Sequence, residues 1–134
     1  MSEHPVEIHI VEPDPVFLRI LLRTLEDYEA FESVLVHGYE NGHEFLEHYE
    51  YKGIYCIFII NDVLPKKNGT EIAKRIRKDD SKSTIYFMTR SNTEEEMVYA
   101  LNSGVDGYFI KPFNLKVFQA KVNRLLDKGE KIWN

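Results

Sequence analysis

The sequence predicts an α/β domain, a five-stranded parallel sheet in the order 2-1-3-4-5 with helices on both faces, and three observations carry that expectation. The stretch Tyr55 to Asn61, YCIFIIN, is almost unbroken in apolar and aromatic residues. It lacks the polar alternation of a strand with one wet face, so it reads as a central strand buried on both sides. Four other short apolar or β-branched runs are each followed by a segment whose apolar residues recur with the helical period. Short connections between alternating strands and helices imply a parallel sheet, and 2-1-3-4-5 is the common order for five doubly wound strands.

Taken in order, Val6 to Val11 is the first strand, closed by Pro13 and Pro15, which lack backbone donors. Asp14 before Pro15 is a helix start, with Asp as N-cap, and Phe17, Leu18, Leu21, Leu22 and Leu25 follow the helical period to about Tyr28. Ser33 to Tyr39 is the second strand, and Asn41 caps a helix with Phe45, Leu46 and Tyr49 on one side. After the Tyr55 strand and a loop through Pro65, a helix from about Asn68 to Lys78 turns Ile72, Ala73 and Ile76 inward. Its basic run Lys74, Arg75, Arg77 and Lys78 reads as a solvated outer face.

Thr84 to Thr89 is the fourth strand, and Thr93 starts a helix whose Glu94, Glu95 and Glu96 suit the positive end of the helix dipole. Gly104 ends that helix, Asp106 to Ile110 is the fifth strand, and Lys111 and Pro112 stop it. Phe113 to Lys128 is the last helix, with Val117, Phe118, Val122, Leu125 and Leu126 inward. The expected division is a domain over residues 1–128 and a polar tail, 129–134, read as the start of a linker or of a further domain.

A length of 134 residues suits one domain, and 43% hydrophobic with 29% charged content is ordinary for a globular chain. No apolar run approaches the roughly 20 residues of a membrane helix, and no signal-peptide pattern opens the chain. A net charge of -5 without a concentrated basic surface argues against nucleic-acid binding. The one cysteine, Cys56, reads as a small buried hydrophobe and fits a reducing cytoplasm. His9 reads as a hydrogen-bonded core histidine, because no second ligand stands at a metal-site spacing in the sequence.

In such a sheet the ligand site lies beyond the carboxyl ends of the strands, where the order reverses. Four strand ends converge there: Glu12 and Pro13, Asn61 with Asp62, Thr89, and Lys111 before Pro112. The acidic turn after the first strand, the third strand ending ahead of Pro65 and Gly69, Thr89, and the run Tyr108-Phe109-Ile110-Lys111-Pro112-Phe113 together resemble the receiver domain of two-component response regulators, a flavodoxin-like fold. The resemblance covers essentially the whole chain. It implies an aspartate at the end of the third strand that accepts a phosphoryl group from a histidine kinase. It also implies two acidic residues after the first strand that help hold Mg²⁺, a threonine and a lysine on the phosphoryl oxygens, and a switching aromatic.

Carried over by motif, Thr89, Tyr108 and Lys111 match, but the acceptor position falls on Asn61 and the acidic pair on Glu12 and Pro13. An amide oxygen is a poor nucleophile, and Mg²⁺ needs hard anionic ligands. The expectation is therefore a degenerate receiver that is not an enzyme and needs no cofactor, with Mg²⁺ binding in doubt. Glu12 and Lys111 would neutralise each other, with Asn61 and Thr89 hydrogen bonding around them. It would be regulated by a protein partner, by a ligand, or by a homodimer through the fourth helix, fifth strand and fifth helix. The alternative is a working phosphoacceptor that uses Asp62 with a histidine kinase, although a one-residue step along a regular strand should turn Asp62 away from Thr89 and Lys111. A third reading, a flavodoxin-like enzyme outside signalling, finds no glycine-rich phosphate loop and no nucleophile–base pair.

Overall fold

Strands β1 (Val6–Val11), β2 (Leu35–Tyr39), β3 (Tyr55–Asn61), β4 (Thr84–Thr89) and β5 (Gly107–Ile110) pair in parallel in the order β2-β1-β3-β4-β5. They alternate with α1 (Pro15–Glu26), α2 (Gly42–His48), α3 (Gly69–Asp79), α4 (Glu94–Asn102) and α5 (Leu115–Trp133). The structure is a computed structural model and describes residues 6–28, 33–90 and 93–133. The expected sheet and order are those observed.

β3 is central because it has nothing polar to keep wet: Ile57, Phe58, Ile59 and Ile60 are all fully buried. Its odd-numbered residues join Ile8, Ile10, Met88 and Phe109 in a layer covered by Leu18, Leu21 and Leu25 of α1 and Phe118 and Val122 of α5. Its even-numbered residues join Val11, Ile85 and Phe87 beneath Phe45 of α2, Ile72, Ala73 and Ile76 of α3, and Ala100 of α4. The starts of α1, α2 and α4 are those expected. Asp14 accepts from the amides of Val16 and Phe17, Asn41 from Glu44 and Thr93 from Glu96.

Three local expectations are corrected. α5 begins at Leu115, where Asn114 accepts from the amides of Lys116 and Val117, and it runs to Trp133, five residues beyond Lys128. Gly129 does not stop it; that glycine is where the helix meets β3, and a Cβ there would overlap the Tyr55 ring. Val117 is not inward but half exposed.

Arg77, expected on a solvated face, is folded inward instead. Its Nε donates to Gly104 O at 3.0 Å, Nη1 to the carbonyls of Asp80 and Ser83 at 3.0 and 2.8 Å, and Nη2 to Asp106 at 2.9 Å. One guanidinium thus satisfies loop carbonyls from both the α3–β4 and α4–β5 connections, which have no ladder partners of their own. Arg77→Met should cost about 2–4 kcal/mol in urea unfolding, since it strands several acceptors at once. Lys78→Met, on the exposed side of the same turn, should change stability by no more than about 0.5 kcal/mol.

Candidate functional site

The register brings the polar strand ends to one rim. Val11 lies beside Tyr39 and Ile60, Asn61 beside Met88, and Thr89 beside Ile110, so Glu12, Asn61, Thr89 and Lys111 close the carboxyl edge together. Glu12 is 1% exposed, and its amide extends the ladder to Tyr39 O at 2.9 Å. Its Oε1 meets Lys111 Nζ at 2.6 Å, and its Oε2 accepts the Asp14 amide at 2.9 Å. The Lys111 side chain is itself only 10% exposed. Its amide donates to Thr89 O at 2.7 Å, its ammonium lies 5.0 Å from the Phe17 ring centroid, and its peptide bond to Pro112 is cis. A paired, hydrogen-bonded ammonium over an aromatic face is a charge with its partners in place.

This ion pair forms the floor of a cleft of about 390 Å³ lined by Pro13, Asp14, Phe17, Asn61, Arg90 and Phe113. Asn61 is 9% exposed and donates from Nδ2 to Val63 O at 2.7 Å, so its amide stabilises the turn after β3. Gly69 closes that turn, donating to Asp62 O at 3.0 Å. A Cβ on Gly69 would stand 3.1 Å from both Asn61 O and Asp62 Cα.

Asp62 corrects another expectation. It is not turned away from Thr89: Thr89 Oγ1 donates to Asp62 Oδ2 at 2.7 Å, while Asp62 Oδ1 accepts the Val63 amide at 2.8 Å. The register explains this. Asn61 stands opposite Met88, and both face the α1–α5 layer, so the next residue on each strand, Asp62 and Thr89, turns to the α4 side together. The step of one residue does separate Asp62 from Asn61, as the pleat requires, but it carries Asp62 toward Thr89. The hydrogen bonds expected from Asn61 and Thr89 to the Lys111 ammonium are directed elsewhere, to Val63 O and Asp62.

Asp62 borders two spaces, the second together with Thr89. One, of about 480 Å³, also touches Asn61, Arg90, Glu96 and Lys111. The other, a small cavity of about 90 Å³, is bordered by Phe87, Met97, Ala100 and Tyr108. Tyr108 donates from its hydroxyl to Met97 O at 3.2 Å, fastening β5 to α4. Burial, then the Asp62 charge, raises the pKa of that hydroxyl above its usual value. Cys56 behaves as expected: burial pushes its thiol up to about 12, well away from nucleophilic use. His9, by contrast, has companions that its sequence neighbourhood did not show, since the β1–β2 register sets it beside His37.

A doubly wound α/β domain with its polar side chains gathered at the carboxyl ends of β1, β3, β4 and β5 is a flavodoxin-like domain of the CheY-like kind. The chain belongs to the response regulator receiver domain family, whose model matches residues 8–123, and such receivers are signalling domains of two-component systems. It is similar to the nisin biosynthesis regulatory protein NisR of Lactococcus lactis subsp. lactis, at 32% identity over 93% of this chain and 52% of that protein. It is also similar to the transcriptional regulatory protein TrcR of Mycobacterium tuberculosis, at 26% identity over 93% and 47%. A CheY-like receiver domain structure from Methanospirillum hungatei superposes with a TM-score of 0.78 at 27% identity, covering 95% of this chain and 98% of that one. The chain spans about half the length of the curated relatives it matches. No helix among the described residues is long and apolar enough to cross a membrane.

The Glu12–Lys111 contact is testable by a double-mutant cycle. Lys111→Met or Glu12→Gln alone should destabilise the fold by about 3–5 kcal/mol, because each leaves one buried group without its partner. The double variant should cost clearly less than the sum, and unfolding that is strictly additive would mean the two side chains do not interact.

Proposed function

We propose that this chain is an atypical receiver, a signalling module regulated by protein interaction and not by phosphorylation of an aspartate. The observation that supports the proposal is the Lys111 ammonium bound to Glu12 at 2.6 Å, beside Asn61, which the family motif aligns with the acceptor position. A hard dication in this family's pocket needs several anionic oxygens. Here both Glu12 oxygens are engaged, Pro13 offers no side-chain donor, Asn61 is neutral, and Asp14 spends Oδ1 on the first amides of α1. The donor set does not fit Mg²⁺ unless the ion pair opens, so no step of the proposed function passes through the metal.

A second reading is supported by Asp62. It is a carboxylate held by Thr89 and bordering a cleft with Lys111, so it has one of the partners a phosphoacceptor uses. Against it, both Asp62 oxygens accept hydrogen bonds and the side chain sits on the α4 side, away from Glu12. Acetyl phosphate with millimolar Mg²⁺, followed by intact mass, separates the readings. The proposal expects no added phosphoryl mass in the wild type, and Asn61→Asp with Pro13→Asp should restore Mg²⁺ binding. Labelling that disappears in Asp62→Asn would establish the second reading, with a histidine kinase as its donor.

For the partner, we infer the face built from α4, β5 and α5, with a second copy of the chain as occupant. Glu94, Glu95 and Glu96 begin α4, Lys116, Lys121 and Arg124 lie along α5, and Val98, Leu101 and Ile110 are about half exposed. Opposite charges beside apolar side chains suit a two-fold pairing. Lys121→Glu with Arg124→Glu should shift sedimentation toward monomer, and an unchanged dimer would remove this face. The proposal places the module in the cytoplasm and assigns it no nucleic-acid contact of its own.

A further inference from the structure

We propose that Glu7, His9 and His37 form a binding site for one divalent transition-metal ion of the zinc type, separate from the rim pocket. The three side chains come from two adjacent strands. Glu7 and His9 share a face of β1, and His37 is the register partner of His9 on the edge strand β2. Their ligand atoms all lie within 4.8 Å of one another. Glu7 Oε1 stands 3.2 Å from His9 Nε2 and 3.4 Å from His37 Nε2. Two ligands on one tetrahedral zinc, with bonds of about 2.0–2.1 Å, lie roughly 3.3 Å apart, so the two Glu7–imidazole spacings suit a shared ion, and the more exposed His37 ring must turn out of its stack on His9 to complete the set.

The surroundings hold this set as a shaped site does. The His9 ring stacks on His37 at 4.9 Å and on Phe58 at 5.3 Å, both within 19° of parallel, and Phe45 meets it edge-on at 6.0 Å. Those contacts lock the ring plane. Its other nitrogen, Nδ1, lies 3.3 Å from the Tyr39 hydroxyl, which supplies the outer-shell partner a ligating imidazole uses to fix its tautomer. At 3.2 Å from Glu7 Oε1, Nε2–H donates to the carboxylate in the metal-free site; a cation would displace that proton and select the tautomer with Nδ1–H toward Tyr39, leaving the Nε2 lone pair for the ion.

Two imidazole nitrogens and one carboxylate oxygen are borderline donors that favour zinc and its neighbours over magnesium or calcium. The His37 side chain is 41% exposed, which leaves the fourth position open to water. Lys52 Nζ reaches Glu7 Oε2 at 3.5 Å from an exposed position, so it opposes a bound cation. A metal here would fasten β2, which pairs only with β1, to the rest of the sheet. That gives the module a second input independent of the rim.

The test is calorimetric titration of Zn²⁺ into the untagged, chelator-treated chain, with the visible spectrum of the Co²⁺ form as a second readout. One equivalent should bind, with Mg²⁺ not competing, and thermal unfolding should shift upward. His9→Gln and His37→Gln should each weaken binding by more than the roughly 10–100-fold that loss of an outer-shell partner costs, and Tyr39→Phe by about tenfold. Lys52→Gln should tighten it. His43→Gln should leave it unchanged, because the exposed His43–Glu47 pair is the competing surface site on α2. If His9→Gln fails to fold, His37→Gln at the sheet edge carries the test alone. No stoichiometric binding, a site that survives His37→Gln, or one that vanishes in His43→Gln overturns the proposal.

Discussion

The rim of this protein depends on a buried ion pair between strands that do not touch. β1 and β5 are separated by β3 and β4 in the sheet, and only the length of the Lys111 side chain lets it reach Glu12. Removing two charges from water costs several kcal/mol per ion, and the arrangement holds only where every remaining polar group is satisfied. Here the second Glu12 oxygen takes the Asp14 amide, Asp14 in turn caps α1, and the ammonium rests over Phe17 from the same helix. The pair therefore fixes the start of α1 and the end of β5 together, and Pro13 lies within the turn it stabilises.

Most of the sheet was legible because its signals are local. The apolar run of β3, the Asp14-Pro15 start and the Asn41 and Thr93 caps each state their structure within a few residues. What was not legible depends on register or on distant partners. Arg77 stands in a basic run of the kind that faces water, and nothing nearby in sequence shows that its acceptors come from Asp80, Ser83, Gly104 and Asp106. Gly129 ends a helical pattern on paper but marks close approach to Tyr55 in the fold. The companions of His9 are two residues away and on the next strand, a spacing that has meaning only once β1 and β2 are aligned.

Asp62 shows the same limit more sharply, because the sequence argument about it was half right. Alternation along β3 does separate it from Asn61, and that much needs only the pleat. Which face Thr89 shares is decided by the alignment of β3 with β4, and Asn61 opposite Met88 puts Asp62 and Thr89 on one side. The carboxylate and the amide at the end of this strand thus serve different neighbours. Asn61 closes its own turn, and Asp62 ties β3 to β4.

That division bears on which element is free to move. The Asp62–Thr89 contact borders the small cavity under α4, and Tyr108 reaches over it to Met97 O. α3 buries Gly69, Ile72, Ala73 and Ile76, whereas α4 buries Ala100 alone and leaves Val98, Tyr99 and Leu101 about half exposed. The free energy of detaching a helix follows the apolar surface it buries, so α4 is the helix this fold holds least. Its polar tethers to other elements include the Tyr108 bond and the bond from Lys74 to the Tyr99 hydroxyl. A partner that covers the exposed side of α4 meets a segment whose position can be biased by contacts worth about 1 kcal/mol each. With so little apolar surface buried, α4 is the part of the structure where binding has the most leverage on conformation.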